Sequence, residues 1–223
     1  MLYNVCMNLR NARRILIVGG TFDPPHAAHL IQPRLVAERI GADAMVYIPT
    51  GRSPHKPVDQ TSPAHRLAML RLMVAGIPDI RVLTLEIDRL DNGRPSFTLD
   101  TLQALRQQFG PLTQGGPELR LLMGCDQAVA FHTWHEPQQI IELAEPVVMT
   151  RPPLSASLLM DQLCKVQPPE QASQWASRIV ELPMLEISST DIRQRVREGR
   201  SITGLVTPAV EDYIRQHGLY RGG

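Results

Sequence analysis

Apolar residues follow two alternating rhythms along the chain. Short, nearly unbroken apolar runs stand at Ile15–Val18, Ala44–Ile48, Leu119–Met123 and Pro146–Met149, the form taken by strands buried on both faces of a sheet. Between them apolar residues recur at three- and four-residue intervals: Leu30, Ile31, Leu35 and Val36; Leu67, Leu70 and Val74; Leu102, Leu105 and Phe109. That period predicts helices. The first spans about 27–40 and stops at Gly41, and the second begins at Pro63 behind a Ser62 cap. The third is capped by Ser96, with Phe97 and Thr98 in its first turn. A last helix covers 208–216 with Val210, Tyr213 and Ile214 turned inward. Ile80–Leu90 alternates as a strand does, Ile179–Leu182 is a final short strand, and short helices are expected near 158–163 and 171–176. Strands alternating with helices predict an α/β fold with a parallel sheet.

Composition narrows the function. The 223 residues suffice for one α/β domain with a sizeable core. Residues 1–13 are read as a flexible arm and 14–221 as a single domain. Basic and acidic residues number 23 and 22, for a net charge of +1, which argues against a general nucleic-acid or anionic-membrane binder. A small anionic substrate needs only local cations. Cys6, Cys125 and Cys164 are far apart and form no C-x-x-C, as expected of a reduced cytoplasmic protein. No apolar run approaches the roughly 18 residues of a membrane helix.

The chemistry gathers first at Gly19–His29, GGTFDPPHAAH, directly after the first strand. Gly19 and Gly20 allow close backbone approach and positive φ. Amides before a helix start form an anion site, and His26 and His29, three apart, share a face on the first helical turn. No Cys or carboxylate stands at a fitting spacing for a metal, so no metal ligand is assigned. Alone, this loop is compatible with any nucleotide or phosphate, or with a plain βα turn.

Other candidates lie further on. The long loop 49–62 carries three prolines and Arg52, His55 and Lys56, all able to face an anion. Amides near Phe97 and Thr98 suit a carboxylate, or simply open a capped surface helix. Asp126, after Gly124 at a strand's carboxyl end, suits ribose hydroxyls or acts only as a cap. Trp134, beside His135 in a polar stretch, stacks a flat ring or packs half-buried. Ile187–Arg193 brings Ser188, Ser189, Thr190 and Arg193 to one helix start, a second anion site. Arg195 and Arg197 follow on the solvated side.

Together these motifs resemble the nucleotidyltransferase superfamily, whose mark is (H/T)xGH after a first strand, and within it the bacterial nicotinate-mononucleotide adenylyltransferases. Between GGTFDPPHAAH and ISSTDIR, the pieces SPHKP, PSFTLDTL, LMGCDQA, FHTWHE, TRP and GLYR follow in order. The resemblance implies a Rossmann-like open parallel sheet with helices on both faces. It also implies transfer of the adenylyl group of ATP to nicotinate mononucleotide, with Mg²⁺ held mainly by the ATP phosphates. His26 and His29 would be catalytic. Gly19, Gly20, Thr21, Phe22, Gly124, Asp126, Ser188, Ser189, Thr190 and Arg193 would bind ATP; His55, Lys56, Phe97, Thr98, Trp134, His135 and Arg151 would bind the mononucleotide. Ala28 replaces the family's glycine between the histidines, and its methyl is expected to crowd the site. The competing expectations are a phosphopantetheine-type adenylyltransferase and a non-catalytic nucleotide sensor.

Overall fold

A computed structural model describes residues 9, 11–51, 61–90, 96–150 and 154–221. Six strands form one parallel sheet: β1 (Arg14–Gly20), β2 (Ala44–Pro49), β3 (Ile80–Val82), β4 (Glu118–Gly124), β5 (Glu145–Thr150) and β6 (Ile179–Glu181). Their order is β3-β2-β1-β4-β5-β6. The chain builds outward in one direction from β1 to β3 and in the other from β4 to β6, so the order reverses at β1 and β4. Ligands of open parallel sheets gather outside the carboxyl ends at such a reversal. Register across the reversal runs from Arg14 opposite Glu118 to Val18 opposite Leu122.

The continuous apolar runs have the predicted cause. Ile15–Val18 of β1 and every residue of β2 are buried, as strands covered on both faces must be. The amino ends of β1, β4 and β5 carry the charges instead. Arg14 and Arg120 both reach Glu118, at 2.6 and 2.9 Å, and Arg120 also pairs with Glu145. Hydrogen bonds from these two arginines hold the Glu118 carboxyl below its usual range. Charge thus closes the amino edge and leaves the carboxyl edge to the glycine-bearing turns.

The helices are α1 (Ala27–Ile40), α2 (Pro63–Met73), α3 (Thr98–Phe109), α4 (Cys125–Ala130), α5 (Pro137–Leu143), α6 (Ala156–Val166), α7 (Pro169–Ser173), α8 (Ser189–Arg197) and α9 (Pro208–Gln216). Among the described residues none is long and apolar enough to cross a membrane. α1 and α9 have the predicted bounds, and Gly41 takes φ 63° where α1 stops.

Three expectations are corrected. Ile80–Leu90 is strand only to Val82, because Thr84 and Asp88 close a local turn. Oγ1 of Thr84 donates to Asp88 Oδ2 at 2.7 Å, and the Asp88 amide to the Thr84 carbonyl at 2.8 Å; such local bonds compete with a strand ladder. The third helix starts at Thr98 with Phe97, not Ser96, at its cap. The inward face of α2 is Arg66, Met69, Leu70 and Met73, so Leu67 stands aside for an arginine.

The chain divides into two compact units. One comprises Met1–Val18, Leu35–Val46 and Phe97–Met184, the other Gly19–Arg34, Tyr47–Ser96 and Leu185–Gly223. Each holds a set of candidate residues.

Candidate active site

In the second unit the turn after β1 is shaped by an aromatic ring. Neither Gly19 nor Gly20 takes positive φ; the left-handed residue is Phe22, at φ 53°. That conformation costs an ordinary side chain about 1–2 kcal/mol, and burial holds it here. Phe22 is 2% exposed, edge-on to His29 at 5.1 Å and tilted against Tyr47 at 5.8 Å. A Cβ on Gly20 would lie 3.0–3.3 Å from the Phe22 ring, whereas one on Gly19 would meet nothing within 4 Å. Gly20 is therefore a packing requirement. No packing among the described residues requires Gly19, whose bare backbone allows close approach of a ligand.

His26 lies just before α1 and His29 in its first turn. The His29 amide bonds the His26 carbonyl at 2.8 Å, and the Ala27 amide is taken by Leu205 at 2.9 Å. The two imidazoles stack with centroids 3.7 Å apart and planes at 27°. The His26 amide donates to Nδ1 of His29 at 3.2 Å. A ring nitrogen that accepts carries no proton, so the hydrogen-bond geometry assigns the His29 proton to Nε2 and makes that nitrogen a donor. Tyr47 fixes the same turn from below, donating to the His29 carbonyl at 2.7 Å. Burial pushes its phenol pKa up, so the donor proton stays. Ala28 is 2% exposed, so its methyl is sheltered by the protein itself.

The start of α8 anchors this loop. Ser188 is the cap, its Oγ accepting from the Asp191 amide at 3.1 Å. Ser189 Oγ donates to the Pro24 carbonyl at 2.8 Å, and Arg193 Nη1 to the Asp23 carbonyl at 2.6 Å. Arg193 Nη2 also reaches Thr190 Oγ1 at 3.3 Å. Tyr220 donates to Asp23 Oδ1 at 2.6 Å, and burial together with this carboxylate raises its phenol pKa. From α2, fully buried Arg66 donates to the Thr21 and Gly51 carbonyls at 2.8 and 3.3 Å. Arg195, expected on the solvated side, pairs with Asp191 at 2.8 Å.

The first unit carries the aromatic candidates. The His135 ring lies 4.9 Å from Phe97, so the start of α3 meets the Trp134–His135 turn. The α3 cap residue, Phe97, makes no side-chain hydrogen bond to the first turn. Trp134 is half-buried, tilted against Phe131 at 5.3 Å. Phe131 is buried and edge-on to Trp175. One side of Trp134 is thereby backed. Gly124 caps α4, its amide bonded to Gln127 Oε1 at 3.0 Å, and Asp126 is exposed in the first turn.

Arg52, His55, Lys56 and Arg151 lie outside the described residues. Asp23, Tyr47, Arg66 and Tyr220 were not singled out from sequence, yet all four hold the loop. Arg66 was legible: it occupies the place of a core residue in the period 66, 69, 70, 73. Asp23 lies within GGTFDPPHAAH and Tyr220 within GLYR, but neither motif shows that the two residues bond each other.

A parallel sheet reversing at β1 and β4, with a glycine turn running straight into a histidine-bearing helix, defines an α/β nucleotidyltransferase fold. Residues 17–195 match the cytidylyltransferase-like family. A chain of Thermomicrobium roseum named probable nicotinate-nucleotide adenylyltransferase is 38% identical over 209 residues, covering 93% of this chain and 92% of its own. One of the same name from Roseiflexus castenholzii is 40% identical, at 92% and 96% coverage. In fold, the chain is similar to the nicotinic acid mononucleotide adenylyltransferase of Plasmodium falciparum solved with NaAD. The TM-score is 0.64 at 17% identity, with 93% and 97% covered. The chain belongs to the cytidylyltransferase-like family and, within it, to the nicotinate-nucleotide adenylyltransferases.

Proposed function

We propose that the chain transfers the adenylyl group of ATP to nicotinate mononucleotide, giving deamido-NAD and pyrophosphate as a step of NAD biosynthesis. Family membership supports the reaction. The single structural observation that carries the site is the His26 amide bonded to His29 Nδ1, which turns Nε2–H into an oriented donor. A protein that only sensed nucleotide would not need that orientation.

In the transfer, a phosphate oxygen of the mononucleotide forms a bond to the α-phosphorus of ATP. The bond from that phosphorus to the α,β-bridging oxygen breaks, and its electron pair leaves with pyrophosphate. Such chemistry needs positioning and charge stabilisation rather than a covalent enzyme intermediate. His26 and His29 donate to the phosphate oxygens on which charge grows, a role worth about 10²–10³ in turnover for a well-placed donor. Gly19, Gly20, Thr21 and Phe22 line the phosphates with backbone. Arg193, with Ser188, Ser189 and Thr190, supports the pyrophosphate end, and the three loop-directed hydrogen bonds from α8 and Tyr220 keep that arrangement rigid before substrate arrives. Gly124 and Asp126 meet the nucleotide sugar.

Trp134 stacks the nicotinate ring, with His135 beside it, and the amides at Phe97–Thr98 take its carboxylate. Charged acceptors gain about twice what neutral ones do from N–H donors, so this arrangement favours nicotinate over nicotinamide. His55, Lys56 and Arg151 are proposed to complete the mononucleotide site. Among the described residues no three His, Cys, Asp or Glu side chains gather as a metal cage. The donors at the loop are nitrogens suited to phosphate, and fit Mg²⁺ carried on phosphate oxygens rather than on protein. When bound, the ion neutralises part of the triphosphate charge. A cytoplasmic location is proposed from the three widely spaced cysteines, which form no C-x-x-C. The test is pyrophosphate release from ATP that depends on added nicotinate mononucleotide.

A further inference from the structure

At the carboxyl ends of β1 and β2 the Thr50 amide bonds the Gly20 carbonyl at 2.9 Å. One residue further along each strand the link passes to a side chain. Arg66 Nη1 donates to the Thr21 carbonyl at 2.8 Å, and Nη2 to the Gly51 carbonyl at 3.3 Å. A single guanidinium thus spans the ends of two neighbouring strands.

Its mount is firm. Arg66 is fully buried and stands on the inward face of α2 with Met69, Leu70 and Met73. One residue earlier, His65 Nδ1 lies 2.9 Å from the Tyr213 hydroxyl of α9, so the start of α2 is tied from outside as well. Gly51 is also fixed. It is buried, and a Cβ there would collide with the Glu86 carbonyl oxygen and lie 3.0 Å from Ser96 Oγ. The next two residues along the chain are Phe97 and Thr98, whose amides are proposed for the nicotinate carboxylate. The other prong of the fork holds Thr21, in the turn proposed to line the ATP phosphates.

Burying a charge costs far more than burying an apolar side chain of the same length. Core packing alone would be served by methionine. What methionine lacks, and lysine only half supplies, is two donors at a fixed separation.

We propose that Arg66 is a positioning residue for adenylyl transfer: its two prongs hold the ATP side, at Thr21, in register with the mononucleotide side, at Gly51. It touches neither substrate. In-line displacement needs both reactants oriented together, and a small misplacement set far from the reacting atoms lowers the rate steeply. This role rests on the adenylyl-transfer reading above.

The test is steady-state kinetics of Arg66→Lys and Arg66→Met, with rates divided by the folded fraction read from thermal unfolding of the same samples. Both variants should lose about 10–10²-fold in kcat, while KM for ATP and for the mononucleotide each stay within about threefold. Each substrate still binds its own side, but the two meet out of line. Lysine keeps the charge without the fork, so it should not restore the rate. Native kcat in folded Arg66→Lys overturns the proposal, as does a loss that appears only in melting temperature or only in one KM. Should neither variant fold, the native chain decides. The Arg66 Nε–H NMR signal, assigned through bonds from its backbone, should shift with the α,β-methylene analogue of ATP alone and with nicotinate mononucleotide alone. A signal moved by only one of them, or by neither, overturns the role. A native chain that releases no pyrophosphate with both substrates present would instead refute the adenylyl-transfer reading, and this role with it.

Discussion

The hydroxyl of Tyr220 donates to Oδ1 of Asp23 across 2.6 Å, joining a residue near the carboxyl end of the chain to the loop after β1. Asp23 is 6% exposed, and its main-chain carbonyl is held at the same time by Arg193. One residue of the phosphate loop is thus fastened twice, by side chains from two separate segments.

Tyr220→Phe should therefore loosen the loop without emptying the core. A hydrogen bond to a charged group is worth about 1.5–3 kcal/mol, and partial exposure of Tyr220 reduces this to about 1–2. Thermal unfolding should show a drop of about 2–4 °C per kcal/mol for a chain of this size. Turnover should fall more than affinity for ATP. An unchanged melting temperature and unchanged kcat would mean that the bond positions nothing.

The two glycines should part company. Gly20→Ala presses a methyl against the Phe22 ring at 3.0–3.3 Å and should cost about 1–3 kcal/mol of stability, as overpacking does. Gly19→Ala meets no protein atom within 4 Å and should leave the melting temperature alone while raising KM for ATP. Equal effects of the two on stability would contradict the assignment of Gly19 to ligand approach.

His29→Ala should lower kcat by about 10²–10³ with the melting temperature little changed, since His29 is only half-buried. Steady-state rates with both substrates saturating give the answer. Retained turnover would remove His29 from the chemistry.

Trp134→Ala should raise KM for the mononucleotide severalfold, in line with the roughly 1–3 kcal/mol of base–aromatic stacking, and change KM for ATP little. The reverse pattern would place the ring site elsewhere.

Much of this architecture is legible in the chain because burial leaves direct marks. Ile15–Val18 and Ala44–Ile48 are unbroken because both sheet faces are covered, and Ser188-x-x-Asp191 announces α8 because the cap is local. What escapes is long-range and polar. Thr84 and Asp88 end β3 early through a side-chain bond that alternation does not register. The positive φ expected at Gly19 or Gly20 falls on Phe22 instead, since the ring finds its pocket against His29 and Tyr47. Ser189 and Arg193, expected at the phosphates, also make hydrogen bonds to Pro24, Asp23 and Thr190, a tie that no local pattern displays. Arg66, Asp23 and Tyr220 act across the fold, which no local window displays. Ala28, the departure from the (H/T)xGH pattern, is buried; nothing in the structure explains why alanine stands there.

The central claim is adenylyl transfer to nicotinate mononucleotide, and phosphorus NMR of the reaction mixture tests it most directly. With ATP, Mg²⁺ and nicotinate mononucleotide, the spectrum should show pyrophosphate and the phosphodiester pair of deamido-NAD growing in equal amounts. Nicotinamide mononucleotide should react more slowly. ADP and inorganic phosphate in their place, or no change with either mononucleotide, would contradict it.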